Sequence, residues 1–212
     1  MNDYSPREER LNILSHAFGF VMSIMGLLLL VLRSVPSGNP TIIISSSIFG
    51  VSMILLYAAS TFYHRETEPA RRARLKIIDH ATIYVLIAGT YTPFTLITLS
   101  EGIGLIIFSI SWGMALVGII LKLFFIGKYK LISTLMYVFM GWMIVFAIQP
   151  LIDSLDPEGM QWLIAGGLAY TVGAIFYSIK KISFNHAIFH LFVLIGTFCH
   201  FISIYNYVVP SN

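Results

Sequence analysis

The stretch FNHAIFH, residues 184–190, places His186 and His190 four positions apart at the start of an otherwise apolar segment. Residues i and i+4 of a helix share one face, about 6 Å apart at Cβ. An imidazole nitrogen sits about 2.0–2.1 Å from zinc, so this pair can meet one ion. His64, at the end of a different apolar segment, can supply a third nitrogen. Three protein ligands with a fourth position left to water is the pattern of a catalytic zinc site. Imidazole suits zinc better than Cu(I), which prefers sulfur, while iron and nickel stay compatible with it. The motif lacks the glutamate of H-E-x-x-H and so carries no general base of its own. Asp79 is the candidate to hold or deprotonate the zinc-bound water. Ser60 lies one helical turn from His64, on the same face.

The elements that position these residues are membrane spans. The 212-residue chain is 57% hydrophobic and only 11% charged, with a mean hydropathy of +0.83. Soluble domains carry about a quarter charged residues. A membrane-crossing helix needs about 20 apolar residues. Seven segments qualify: 11–32, 41–63, 78–99, 103–125, 131–150, 160–179 and 184–208. The breaks between them carry turn residues or charge, as in VPSGNP (35–40), HRETEPARRARLK (64–76) and DSLDPEG (153–159). No linker is long enough for a second domain, so residues 1–212 read as a single seven-helix membrane domain. The first segment, after Arg7 and Arg10, is too long for a signal peptide and is expected to be retained. Cys199 is the only cysteine, which excludes an intrachain disulfide and a cysteine-rich metal site. The basic residues flank apolar segments and form no continuous face, so nucleic-acid binding is not expected.

Lysine and arginine in the connections set orientation. Of the thirteen basic residues, only Arg33 falls on the side opposite to Arg7, Arg10, Arg65, Arg71, Arg72, Arg74, Lys76, Lys122, Lys128, Lys130, Lys180 and Lys181. Glu101, Asp153, Asp156 and Glu158 lie on Arg33's side. The N-terminus is therefore expected in the cytoplasm and the C-terminus outside. On this map His64, Asp79, His186 and His190 all sit at the cytoplasmic ends of their helices. So do Glu9, Asn12, Ser15 and His16 of the first span. Ionisable groups inside a membrane are costly and usually face the bundle interior, where they mark function. Glu9 and Asn12 are expected to tie the first span to the site or to cap it. His16 is expected to hydrogen-bond to Asn12, Ser15 or a neighbouring helix. His80 points about 100° away from Asp79 and reads as interfacial. His200 lies about 15 Å beyond His190 along the helix, too far to share an ion. It is expected to make a buried polar contact or to line a ligand cavity. Pro93 should bend the third span, and the glycines of GGLAYTVG should allow close helix packing.

The ordered set of E9-x-x-N12-x-x-S15-H16, S60-x-x-x-H64, D79 and H186-x-x-x-H190 resembles the progestin and adipoQ receptor superfamily, specifically its bacterial hemolysin III branch. The resemblance spans all seven segments. It implies an all-α, multi-pass seven-helix bundle in a bacterial plasma membrane, with the N-terminus cytoplasmic. It implies zinc on His64, His186 and His190, Asp79 against the zinc-bound water, and Ser60 beside the site. The superfamily includes adiponectin receptors and, more remotely, alkaline ceramidases, which implies hydrolysis of lipid amides. Its bacterial members are linked to haemolysis and membrane lipid homeostasis.

Three functions follow as expectations. The first is a zinc-dependent hydrolase of lipid amides or esters, with membrane lipids as its partners. The second is a membrane receptor or sensor in which zinc is structural. The third is a pore-forming haemolysin.

Overall fold

The computed structural model describes residues 4–99, 102–125 and 130–210. Glu101 and Lys128, used above for orientation, lie outside the described residues. All regular structure among the described residues is helical: α1 (Pro6–Ser34), α2 (Pro40–Arg65), α3 (Pro69–Pro93), α4 (Ile103–Phe125), α5 (Lys130–Trp142), α6 (Ile148–Ser154), α7 (Pro157–Ser178) and α8 (Asn185–Ser203). A 3-10 segment, Met143–Ala147, joins α5 to α6, and together they make one span. Among the described residues, seven helical segments are long and apolar enough to cross a membrane.

Four helices begin with the same device. Ser5, Asn39, Glu68 and Asp156 each cap a helix whose first residue is proline. The side-chain oxygen accepts an otherwise orphaned backbone N–H. Proline's missing N–H costs nothing at that position. The connection from α2 to α3 is fastened in the same way. Glu66 accepts from the backbone N–H groups of Thr67 and Glu68. These bonds, that from Glu68 foremost, hold its carboxyl below the usual range. Past Pro93, α3 continues as a π turn over Phe94–Thr98.

Helix α1 is built inside out relative to a helix of a soluble protein. On α1 the buried positions Glu9, Asn12, His16, Gly19, Ser23 and Gly26 recur every three or four residues. The opposite face, with Leu14, Phe18, Val21, Leu28 and Leu32, is exposed. Lipid solvates the apolar face, and the polar or small face must find partners within the protein. Gly19 shows how tight that packing is: a Cβ there would lie 2.6 Å from the Tyr57 ring. Helix α1 packs on α2 and α8, α2 on α3, α3 on α5, α5 on α7, and α7 on α8. These contacts close a ring. Helix α4 packs behind α3. The apolar core of the bundle includes Phe49, Leu56, Leu86, Phe94, Val193 and Ile204.

Candidate metal centre and the cavity beside it

Helix α8 starts from a strained residue. Phe184 sits at φ 59° in the left-handed region, and Asn185 opens the helix. The Asn185 amide donates to the Tyr177 carbonyl at 3.1 Å, which ties the end of α7 to the start of α8. The free N–H of His186 donates to Glu8 Oε1 at 3.2 Å. A carboxylate from α1 thus sits where the helix dipole favours negative charge. This anchorage aims His186 and His190 into the bundle, where both are buried.

Nε2 of His186 lies 3.1 Å from Nε2 of His64 and 3.1 Å from Nε2 of His190. Ligand atoms of these three buried histidines all fall within 4.8 Å of one another. Protons alone do not satisfy this arrangement. A neutral imidazole nitrogen either donates once or accepts once, whereas His186 Nε2 faces two others. A cation accepts all three lone pairs. Tetrahedral zinc–nitrogen bonds would separate neighbouring nitrogens by about 3.3 Å, close to the observed spacing. The three histidines can hold a metal ion.

The tautomer of His64 is set from outside the cluster. Its Nδ1–H donates to Glu9 Oε2 at 2.7 Å, which leaves Nε2 as a lone pair facing His186. A carboxylate behind a ligand histidine orients the ring and raises its basicity. Glu9 is itself held by an ion pair with Arg72. Arg72 also donates to the carbonyls of Tyr63, His64 and Glu66, capping α2. The sequence treats Arg72 as one member of a basic run, and nothing in that run distinguishes it from Arg71 or Arg74. Tyr4 stacks on His186, with ring centroids 4.6 Å apart. Glu8 and Tyr4 also escape sequence reasoning, because both meet His186, more than 170 residues away.

Other expected residues fall around the cluster with different roles. The Asn12 amide comes within 3.4 Å of His64 Nδ1. The Ser15 hydroxyl donates to the Asn12 carbonyl and lies 3.5 Å from His190 Nδ1. His16 departs from expectation. Among the described residues neither ring nitrogen finds a hydrogen-bond partner. The ring instead stacks on His190 at 3.5 Å between centroids and meets Tyr57 edge-on. It is held by ring packing because its face, not its edge, is turned to α8.

A cavity of about 620 Å³ opens beside the histidines, within the helical ring. His186 and His190 line it together with Ser60, Asp79 and His16. The Ser60 hydroxyl is buried and has no hydrogen-bond partner among the described residues. Asp79 is not part of the convergent histidine group among the described residues, and its carboxylate lies 3.7 Å from His80 Nδ1. His80, read as interfacial, instead lines the cavity and donates to the Lys76 carbonyl at 2.7 Å. His200 also lines the cavity, and its Nε2–H donates to the Leu163 carbonyl at 3.1 Å. It thus makes both a buried polar contact and part of the wall. Leu86, Ile87, Phe94, Ile144 and Val193 give the cavity an apolar lining.

The family model described as Haemolysin-III related matches residues 4–201. The chain is 43% identical over 205 residues to Hemolysin-3 of Bacillus cereus, covering 97% of this chain and 94% of that protein. It is 44% identical over 206 residues to the Hemolysin-3 homolog of Bacillus subtilis (strain 168), covering 97% of each. It is also 28% identical over 212 residues to the monocyte to macrophage differentiation factor of Homo sapiens, covering 96% of this chain and 86% of that protein.

Proposed function

The chain belongs to the haemolysin III family, as a multi-pass protein of the bacterial plasma membrane, and from that premise we propose that it is a zinc-dependent hydrolase of membrane-lipid amides or esters. The observation that carries the proposal is the convergence of three Nε2 atoms beside a cavity with an apolar lining. His64, His186 and His190 would hold the zinc. When bound, zinc supplies Lewis acidity, which activates water and polarises a carbonyl.

The remaining chemistry belongs to the chain. Glu9 keeps the His64 proton on Nδ1 and so keeps Nε2 free. Asp79 Oδ accepts the proton released by water during attack and returns it to the leaving group. The Ser60 hydroxyl, without a partner among the described residues, orients the scissile carbonyl. The apolar wall takes an acyl chain and excludes bulk water. Turnover of a membrane lipid in this way contributes to lipid homeostasis.

A second reading, a receptor or sensor with structural zinc, is favoured by one observation. The ligands lie on α2 and α8, so an ion there would pin two elements far apart in sequence. Asp79 separates the readings. Asp79→Asn keeps shape and hydrogen bonding but removes the basic carboxylate. Fatty-acid release from a panel of lipid amides and esters is measured for wild type, Asp79→Asn and zinc-stripped protein. Hydrolysis requires wild type to turn over and Asp79→Asn to keep its zinc while losing about 10²–10⁴-fold in rate. Equal release from all three samples, or none from wild type, sinks the hydrolase and leaves the sensor.

A further inference from the structure

Lys122 occupies an unusual position. It sits in the last turn of α4, and α4 packs on α3 at the outside of the ring. Among the described residues of α4, only Lys122 lines the cavity. A lysine at a helix end normally snorkels outward to the headgroups. This one turns inward and is only 6% exposed. Its Nζ donates to Ser133 Oγ at 2.8 Å and lies 5.6 Å from the centre of the Tyr137 ring. The Tyr137 hydroxyl donates in turn to the His80 carbonyl at 2.9 Å. Lys122, Tyr137 and His80 thus form one wall, and Lys76 lines the cavity one turn before His80.

Lys122 has no counter-ion among the described residues. An ammonium has three donors, and Ser133 is a neutral acceptor for one of them. Among the described residues no carboxylate pairs with Lys122. Asp79 stands 3.7 Å from His80 instead, and Glu8 accepts from the His186 N–H. Burying a charge without a counter-ion is costly. An ionisable group at membrane depth that faces a cavity marks a ligand. Basic pockets between membrane helices take anionic headgroups.

We propose that Lys122, on this cavity wall, is a subsite for the phosphate of an anionic lipid headgroup, whose acyl chain runs along the cavity's apolar lining. The inference uses the lipid-in-cavity part of the hydrolase reading and defines its substrate class. It does not depend on turnover. A phosphate suits the site because lysine binds it as a point charge, while the remaining ammonium protons stay free to follow its oxygens.

The test is lipid retention by the full-length protein. Protein in a non-ionic detergent is mixed with equimolar phosphatidylglycerol, phosphatidylcholine and oleate, then washed, and bound lipid is counted by mass spectrometry. Wild type should retain phosphatidylglycerol over both others. Lys122→Met should reduce that preference about tenfold, the scale of one charge-assisted hydrogen bond. Lys122→Arg should restore most of it. Millimolar inorganic phosphate should not displace the retained lipid, because it brings no acyl chain. Equal retention of phosphatidylglycerol and phosphatidylcholine by wild type overturns the proposal, and this holds even if Lys122→Met does not fold. Preference for oleate, displacement by phosphate, or an unchanged ratio in folded Lys122→Met overturns it as well. Absence of hydrolysis leaves the retention result intact, so the two failures are distinguishable.

Discussion

The metal centre depends on single nitrogens, and its residues separate into those that would hold an ion and those that aim them. Removing one of three imidazoles leaves two nitrogens, too few for tight binding. His186→Ala and His190→Ala should each abolish bound zinc, measured by elemental analysis of purified protein. His200→Ala should keep it, because its Nε2 is committed to the Leu163 carbonyl. Glu9→Gln addresses the aiming group. Glutamine can still accept from His64 Nδ1, but it lacks the charge that raises ring basicity and binds Arg72. Zinc affinity should fall by about 10–100-fold, the usual scale for such supporting partners. A competitive chelator titration reads this directly. Unchanged affinity would mean that His64 is positioned by packing alone.

Among the elements, α7 and α8 are packed most tightly where small residues face side chains. A Cβ on Gly166 would lie 2.2 Å from His200 Cδ2 and 3.1 Å from the Gly196 carbonyl oxygen. Gly166→Ala must therefore displace the His200 ring or part the helices. The ring cannot move without losing its bond to Leu163. The substitution should destabilise the protein by about 1–3 kcal/mol, the range for overpacking a close-packed interface. Thermal unfolding in detergent measures it, and Gly113→Ala, which meets nothing within 4 Å, is the control. The cap-and-proline starts of α1, α2, α3 and α7 are a further property of this scale. Each is legible as a dipeptide, SP, NP, EP or DP, because a cap needs only adjacent residues.

For the molecule as a whole, each candidate histidine ligand sits at the end of the bundle that holds Arg65, Arg72, Lys180 and Lys181. Glu8 and Glu9 at the start of α1 meet His186 at the start of α8, His64 at the end of α2 and Arg72 at the start of α3, so these helix ends lie together. Arg33 lies at the other end, where it donates to the Val209 carbonyl at 3.0 Å and stacks over Tyr205. With positive charge held inside, reporter fusions should place residues 65–76 and 180–183 in the cytoplasm and the C-terminus outside. A cytoplasmic C-terminus would put the cavity at the opposite leaflet from the one its basic rim suits.

Span number, the candidate ligands and their common depth were legible because each is carried by local pattern. Apolar length marks a helix, charge marks its ends, and an i, i+4 histidine pair shares a face wherever the helix forms. The choice of partners was not. Arg72 and Lys122 look like any flanking cation in the sequence. Only the closed ring turns one onto Glu9 and the other into the cavity. His16 and His80 show the same limit, since helix register gives the face a residue occupies but not the neighbour that will cover it. A side chain's contacts depend on how helices pack, and packing is decided by the volumes and rotamers of residues far away in the chain, here from Tyr4 to His200.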